Sequence, residues 1–566
     1  MNLIDIIFII FISILCLLSL LKKKSRLSAF NIKTTEIINK HYTLFVILLF
    51  IIAVFIRSYK FGIIPYGLNQ DEAMAGLEGF NLSQYGTDHY GTHMPVYFTA
   101  WIHSQMNVLL SYVLIPFFKI FGVSVFTLRL PMLIFSIISL WVIYRFSYKL
   151  LGKNAALAVL FIVSINPWQI MMSRWALEAN LFPHLMLYGT YFLYLGIEKK
   201  RYLYFAMIAF AAAMYSYGIA YYAVPLFLLI MCIYFLRKKI INLKNTLLCA
   251  LTYFSLSWPI FLMMIVNKFQ LDTIKLPFAT IEFFEYGERM NDVLFFSENI
   301  FDQFVQNFIY TMKASIFQSP DIPWNSIPQI GPLYFVTIPL FILGIFLFIF
   351  GKNLDTSNIK KHARFIILAM FGVAFISGLI TNNVNINRLN SIFFPMIILI
   401  GYGLYYVCKN FKIALLPIIL IFTFLFSNFT YEYFVGKHSQ ELGESFYMGF
   451  EKSLLYVKDM EYERLYITPN TQGELFMTSQ IITLFILEID NDYYYNKIDE
   501  YDSRGNKYMP YGRRYIYQIK PELIEPSEIG AIYILHTSEK EYFEEEFFNF
   551  VQFDDYYVAI NKDYTH

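Results

Sequence analysis

The chain has 566 residues, of which 57% are hydrophobic and 15% are charged, and its mean hydropathy is +0.49. Because ordinary soluble domains carry about 25% charged residues, this composition excludes a cytosolic globular enzyme, a disordered tail and a nucleic-acid-binding protein. The net charge of +2 is the sum of a basic N-terminal part and an acidic C-terminal part. Residues 431–566 hold 12 Lys and Arg against 25 Asp and Glu, whereas residues 1–430 hold 32 against 17. The sequence therefore predicts a membrane-embedded body joined to an acidic soluble domain.

Apolar runs long enough to cross a bilayer follow one another through the body. A membrane-spanning helix needs about 20 apolar residues, with a range of about 17–25. About twelve runs meet this requirement, near residues 2–21, 43–59, 126–148, 154–172, 181–197, 202–217, 219–236, 246–266, 333–351, 365–381, 391–408 and 413–430. The predicted fold class is a polytopic α-helical membrane protein. Its domains are an extra N-terminal helix with a basic cytoplasmic loop (1–42), a transmembrane domain (43–430) and a soluble tail (431–566).

The distribution of basic residues predicts the orientation of the spans. With the N-terminus outside, 22 Lys and Arg residues fall in the six cytoplasmic connections, as the positive-inside rule requires. A crossing at 107–122 would invert every later loop, so we interpret this run as an amphipathic helix on the outer interface. Two long loops, 60–125 and 267–332, and the tail are then extracytoplasmic, in a bacterial plasma membrane.

The acidic tail has the pattern of a small α/β domain. A helical stretch over 441–460 precedes short β-rich runs at 464–468, 514–519, 531–535 and 556–560. The four cysteines lie in or at the ends of apolar runs, so they indicate neither a disulfide framework nor a zinc cluster.

The first long loop carries an acidic pair, Asp71 and Glu72, where a helix is predicted to begin. One interpretation is purely structural, since Asn69 as N-cap and Glu72 three residues later form a capping box. The other is catalytic, since a carboxylate at the outer rim of a bundle can accept a proton from an attacking hydroxyl. The two interpretations are compatible, because a capped helix start would hold Asp71 rigidly.

Three arginines are predicted at similar depth on the outer side: Arg129, Arg174 and Arg388. A structural interpretation makes Arg174 and Glu178 an i,i+4 ion pair and the other arginines interfacial anchors. Alternatively, the guanidinium groups converge on a phosphate, which arginine binds bidentately. Spacing in the sequence does not decide between these alternatives.

The first loop also contains histidines close to an aspartate, at Asp88, His89, His93 and His103. Their spacing matches no standard set of metal ligands, so we assign no metal ligands and favour structural or substrate-lining roles for His89, Tyr90 and His93. A divalent metal ion stays open as a cofactor, and no other cofactor is indicated.

Together these motifs resemble the GT-C superfamily of polyprenyl-phosphate-sugar-dependent glycosyltransferases. The acidic pair in the first outer loop, the interfacial helices after it and the Arg129-Leu-Pro start of the next span are most similar to family 39. That family includes protein O-mannosyltransferases and aminoarabinose transferases. The resemblance covers about residues 43–430 and is densest at 65–130 and 166–183. It places the catalytic base at Asp71, with Glu72 beside it and Glu178 as the acidic residue of the second outer loop. Arg388, ahead of Phe393-Phe-Pro, matches the arginine before a late span.

The resemblance implies an inverting transfer of a sugar from a polyprenyl-phosphate donor to an acceptor hydroxyl on the extracytoplasmic face. The acceptor is an envelope glycan, a lipid or a protein, and the lipid bilayer is a further partner. The extra N-terminal span and the acidic tail depart from protein mannosyltransferases in general. A transporter or lipid-linked-sugar flippase remains the main alternative. A noncatalytic envelope scaffold is the second alternative.

Overall fold

The computed structural model describes residues 3–21, 36–100, 105–284, 299–351, 358–468, 476–489, 514–517 and 530–562. Helices dominate the body, and two short hairpins lie in its long loops. The body's helices are α1 (Leu3–Leu21), α2 (Tyr42–Ser58), α3 (Gln70–Tyr85), α4 (Leu109–Phe121), α5 (Val125–Leu151), α6 (Lys153–Ser164), α7 (Pro167–Met172), α8 (Leu181–Glu198), α9 (Arg201–Met214), α10 (Ala220–Arg237), α11 (Leu243–Lys268), α12 (Ile300–Ser315), α13 (Ile338–Phe350), α14 (Asn358–Ile380), α15 (Ile386–Leu389), α16 (Phe393–Asn410) and α17 (Leu415–Phe434). The hairpins are β1 (Tyr97–Thr99) with β2 (Gln105–Asn107) and β3 (Ile274–Leu276) with β4 (Ala279–Ile281).

The predicted polytopic helical fold class is confirmed. Seven helices within the described residues are long and apolar enough to cross a membrane, among them Val125–Leu151 and Leu243–Lys268. Several other predicted spans fall on shorter apolar helices, such as Tyr42–Ser58 and Arg201–Met214. The predicted span 154–172 falls on two helices, α6 and α7, because Pro167 starts a new helix with Asn166 as its N-cap. The number and direction of the crossings stay predictions.

The C-terminal part is a small mixed domain, as predicted. It begins with two helices, α18 (Lys437–Ser445) and α19 (Met448–Val457), rather than one, because Tyr447 has a left-handed backbone conformation (φ 54°) between them. A sheet follows, with strands β5 (Arg464–Ile467), β6 (Tyr515–Tyr517), β7 (Ala531–His536), β8 (Phe548–Phe553) and β9 (Tyr556–Asn561), and with the helix α20 (Phe476–Ile486). The strand order is β6-β5-β7-β9-β8; β5 is parallel to β6 and β7, and β9 is antiparallel to β7 and β8.

The first loop and the C-terminal domain share one hydrophobic core. Leu77 on α3 and Phe118 on α4 lie in the same buried cluster as Phe485 on α20 and Leu465 on β5. The Phe485 and Phe118 rings are 6.3 Å apart between centroids. The C-terminal domain is therefore packed directly against the segment that carries the acidic pair.

Candidate active site

The acidic pair lies at the first turn of α3, and the predicted capping box is present. Asn69 has an extended backbone (φ −70°, ψ 147°), and its side chain accepts a hydrogen bond from the Asp71 N–H at 2.9 Å. The Glu72 carboxylate in turn accepts from the Asn69 N–H at 3.4 Å. Both Asn69 and Glu72 are buried, whereas Asp71 is half-buried. The helix start is thus rigid, and Asp71 is the carboxylate that lies at its rim.

Glu72 forms a fully buried ion pair with Arg129, at the start of α5. The Arg129 Nε and Nη2 atoms donate to the two Glu72 carboxylate oxygens at 2.9 and 2.8 Å, and both side chains are completely buried. Arg129 also donates to the backbone carbonyls of Pro65 and Gly67, each at 2.8 Å. This guanidinium therefore fixes the turn that precedes α3.

Arg174 holds the chain on the other side of that turn. Its guanidinium donates to the carbonyl oxygens of residues 56, 57, 59, 60 and 64 at 2.7–3.2 Å and lies 4.9 Å from the centre of the Phe434 ring. These carbonyls belong to the C-terminal end of α2 and the turn after it, where helix carbonyls lack intrahelical partners. The donors of Arg129 and Arg174 are directed to protein acceptors, which gives both side chains a structural role, and their contact with a phosphate stays a prediction.

Glu178 does not pair with Arg174. Its carboxylate instead accepts the backbone N–H of Asn107 at 2.5 Å, which ties the loop between α7 and α8 to the end of β2. In the same loop, the N–H of Ala176 donates to Glu72 at 2.6 Å, and the carbonyl of Ala179 accepts from the Asn390 side chain at 2.8 Å. Residues 176–179 therefore connect the acidic pair, the first-loop hairpin and the turn that carries Arg388.

Arg388 lies on α15, is half-buried, and donates to the carbonyl of Asn382. The short helix is fixed by Asp321, whose carboxylate accepts the Ile386 N–H at 2.6 Å. Burial raises the pKa of Asp321 to about 6. Among the three predicted arginines, Arg388 is the one that is not fully buried, so it is the best placed to meet a ligand.

His89 belongs to a buried polar cluster under the first loop. Its Nδ1 atom lies 2.5 Å from Glu78 on α3, and its backbone N–H donates to the same carboxylate. Asp88 is 1% exposed and accepts the N–H groups of Tyr90 and Thr92. Burial, and then the charge of Glu78, raises the pKa of Asp88 to about 8. Tyr90 is half-buried against the His89 ring, and His93 is exposed.

The C-terminal domain supplies one further carboxylate. Glu451 on α19 accepts the backbone N–H of Gly67 and interacts electrostatically with Arg129. Burial raises the pKa of Glu451, and the charge of Arg129 opposes this shift. The sequence analysis did not identify Glu451, Glu78 or Asp321. Local spacing does not indicate that Glu451 contacts the first loop, that Asp321 binds the helix of Arg388, or that Glu78 pairs with His89 eleven residues later.

The half-buried carboxylate of Asp71 is connected to the turn that carries Arg388 through the buried contacts of residues 176–179. This arrangement can accept a proton at Asp71 and bind an anion near Arg388. No group of three or more His, Cys, Asp or Glu side chains within the described residues has the geometry of a metal site. His103 lies outside the described residues.

Comparison with known proteins identifies the class of fold. Residues 107–266 match the family model of dolichyl-phosphate-mannose-protein mannosyltransferases. The structure is similar to ArnT from Cupriavidus metallidurans bound to undecaprenyl phosphate, with 11% identity and a TM-score of 0.51 over 92% of this chain and 97% of that chain. The apo state of ArnT gives 11% identity and a TM-score of 0.50 over 92% and 98%.

An oligosaccharyltransferase from Archaeoglobus fulgidus in the apo form aligns with 12% identity and a TM-score of 0.47 over 90% of this chain and 73% of that chain. No curated protein matches the chain. The family-model match over residues 107–266 and the two ArnT structures confirm the resemblance to the GT-C superfamily, and the chain has the fold of ArnT.

Proposed function

We propose that the chain transfers a sugar from a polyprenyl-phosphate-linked donor to an acceptor hydroxyl, with inversion at the anomeric carbon, on the extracytoplasmic face of a bacterial plasma membrane. The observation that carries the proposal is that the two residues of the acidic pair, Asp71 and Glu72, differ in burial and in hydrogen bonding. Both Glu72 oxygens are engaged with Arg129 and backbone N–H groups in a fully buried site, whereas Asp71 is partly exposed one residue earlier on the same capped turn. Asp71 is therefore the carboxylate that can reach a substrate.

In the proposed reaction, Asp71 takes the proton from the acceptor hydroxyl as its oxygen attacks the anomeric carbon. The new bond to the acceptor oxygen forms while the bond from that carbon to the phosphate oxygen breaks. The electron pair of the broken bond leaves with the polyprenyl phosphate, and Arg388 stabilises the negative charge that develops there. Three further charged residues do not contact the reacting atoms in this proposal and instead position the first and second outer loops: Arg129, Arg174 and Glu178.

The test compares Asp71→Asn with Asp71→Glu and with Asp272→Asn, a control at an exposed aspartate of the other long loop. The readout is the release of polyprenyl phosphate from a sugar-bearing polyprenyl phosphate by the purified protein. Because the amide cannot accept the proton, we expect Asp71→Asn to lower turnover by about 10²–10⁴-fold and to leave the melting temperature and lipid binding unchanged. Turnover within about twofold of the unsubstituted protein would contradict the role of Asp71 as base.

Reconstitution in sealed vesicles separates this function from the flippase alternative. A transferase releases polyprenyl phosphate and forms a glycosylated product, and both depend on Asp71. Movement of the sugar-bearing lipid between leaflets without covalent transfer would instead support a flippase and would refute the proposed function.

A further inference from the structure

Helix α12, in the second long loop, turns a row of apolar side chains away from the protein. Five residues with the i, i+3, i+4, i+7 and i+8 spacing of one helix face are 38–77% exposed: Phe301, Phe304, Val305, Phe308 and Ile309. We call this face the apolar sector. In a soluble protein such a face is turned toward the core, and an exposed apolar patch marks a contact surface. The apolar sector therefore requires a partner that covers it.

The rest of the surface of α12 is divided between the protein and water. Three buried residues form the face that packs against the protein: Asn307, Thr311 and Ala314. Three exposed residues form a polar sector: Asp302, Gln306 and Lys313. Because successive side chains are about 100° apart around a helix, the protein-facing side, the apolar sector and the polar sector follow one another around α12. A helix that meets protein, an apolar phase and water at once has the pattern of an amphipathic helix in a membrane interface.

The contacts of α12 place it at the end of a helix that is long and apolar enough to cross a membrane. The Nδ2 atom of Asn307 donates to the Leu379 carbonyl at 3.0 Å, in the last turn of α14. The centroid of the Phe308 ring lies 6.4 Å from that of Phe375 on α14, and the adjacent Ile376 is exposed. The apolar sector is therefore continuous with the outward surface of α14, at the depth where this helix ends.

We propose that α12 lies along the membrane–water interface, with its apolar sector among the acyl chains of the lipid bilayer and its polar sector in water. The inference requires a membrane-embedded chain but does not depend on sugar transfer. It also places the lipid boundary close to the turn that carries Arg388. A Cβ atom added to Gly378 on α14 would meet both the Thr311 side chain of α12 and the Leu389 side chain of α15.

The experiment replaces one residue at a time by the photoreactive amino acid p-benzoylphenylalanine in the full-length protein, reconstituted in nanodiscs of phosphatidylethanolamine and phosphatidylglycerol. The apolar sector is probed at Phe304 and Phe308, and the polar sector at Gln306. Phe254, which is exposed on the membrane-spanning candidate α11, is the lipid-facing control. Phe547 of the C-terminal domain is the solvent-facing control, because its exposure of 39% matches the 40% of Phe304 and the 43% of Phe308. Mass spectrometry of the illuminated protein measures the fraction that carries a lipid, and melting temperatures show that each variant is folded.

We expect the lipid-bearing fraction at Phe304 and Phe308 to be within about threefold of that at Phe254 and at least about tenfold above that at Phe547, with Gln306 at most about a third of Phe308. Yields at Phe304 and Phe308 as low as at Phe547 would overturn the inference. Crosslinks to protein in place of lipid would overturn it too, since a second copy or another segment would then cover the apolar sector. Equal yields at Gln306 and Phe308 would refute the interfacial position, because the helix would be immersed on all its outward sides. Lipid adducts without release of polyprenyl phosphate would refute the proposed function and support this inference.

Discussion

At the scale of single residues, the sequence predicted the local contacts of the charged side chains better than their long-range partners. The capping box at Asn69 and Glu72 follows from local spacing and is present. The ion pair of Glu72 with Arg129 is not local, since 57 residues separate the partners. Removing one partner of a buried ion pair costs about 3–5 kcal/mol, so Arg129 stabilises the start of α3 through Glu72.

Arg174 shows why sequence reasoning about arginine is limited. Near an apolar run, a guanidinium can bind a lipid phosphate, pair with the acid four residues later or satisfy helix carbonyls, and the sequence is the same in all three cases. The third case applies here, because the end of α2 and its turn present five carbonyls to one buried side chain. Such a choice depends on tertiary packing, which no local pattern encodes.

The cluster at Asp88 predicts that stability depends on pH. The groups that face Asp88 are Glu78 from α3, His89 beside it and Glu282 after β4. Its pKa is raised from 3.8 to about 8, so the folded state binds the proton more tightly and its stability falls as pH rises between those values. The pKa of His89 is also raised, because the charge and hydrogen bond of Glu78 outweigh the effect of burial. Its contribution to stability is likewise lost as pH rises through the folded-state pKa.

We therefore expect Asp88→Asn to reduce the fall in Tm between pH 6 and pH 9 by about half, since linkage converts the removed titration into stability. The amide keeps an oxygen that accepts from the N–H groups of Tyr90 and Thr92 but carries no charge. Thermal unfolding in detergent across this pH range is the measurement. The control is Asp302→Asn at an exposed position on α12. Parallel Tm curves for the Asp88 variant and the unsubstituted protein would contradict the assignment.

At the scale of elements, hydropathy located the helices and missed the places where they break. All twelve predicted runs coincide with helices, because long apolar stretches have few alternatives in a bilayer. The interruption at Asn166 depends on a cap and a proline, and the one at Tyr447 depends on a single left-handed residue. Strand β8 escaped prediction, since Phe548–Phe553 follows an acidic run and alternates only weakly.

Helices α13 and α16 approach each other closely at glycines. A Cβ atom added to Gly344 would lie 2.0 Å from the Leu399 carbonyl oxygen, and one added to Gly403 would lie 2.2 Å from the Leu340 carbonyl oxygen. Small residues at helix crossings allow such backbone proximity in membranes. The contact supports α16, which follows directly from the turn that carries Arg388 and Asn390.

We expect Gly344→Ala to lower the free energy of unfolding by about 1–3 kcal/mol, because the added methyl group meets backbone that cannot yield easily. The matched control is Gly372→Ala on α14, where nothing lies within 4 Å of the new atom. There, alanine should be neutral or stabilise the helix by about 0.5–1 kcal/mol. The measurement is the free energy of unfolding of the two variants under the same conditions. Equal values would contradict the close approach of the α13 and α16 backbones at Gly344.

At the scale of the whole molecule, the charge partition predicted a separate soluble tail but not its attachment. The acidic domain packs against the first loop through Phe485, whose ring would lie 2.5 Å from a Cβ atom on Gly76 of α3. The Leu68 N–H donates to the Phe446 carbonyl at 2.6 Å, and Glu451 binds the Gly67 N–H. The charge composition of a segment indicates whether it is exposed to solvent. The contacts between the C-terminal domain and the first loop depend instead on the shapes of both surfaces, which composition does not give. The domain therefore helps to position the turn before Asp71, in addition to any role in binding an acceptor.

Gly67 offers the sharpest test of that coupling. Its φ of +78° is strained for any residue with a Cβ atom, and the added atom would lie 2.2 Å from the Phe446 carbonyl oxygen. Gly122, at the end of α4, has φ of +76° and open space around it. Alanine at either position incurs the cost of the left-handed conformation, about 1–2 kcal/mol, but only Gly67→Ala also pushes the C-terminal domain away from the first loop.

We accordingly expect Gly67→Ala to lower release of polyprenyl phosphate by at least about tenfold and to expose the first loop and the C-terminal domain to limited proteolysis, because the turn held by Arg129 and Glu451 shifts with its carbonyl. Gly122→Ala should retain turnover and the original cleavage pattern at a modestly lower Tm. If both variants lose activity in proportion to their Tm, the loss reflects backbone strain alone. In that case the acidic domain contributes stability but does not position Asp71.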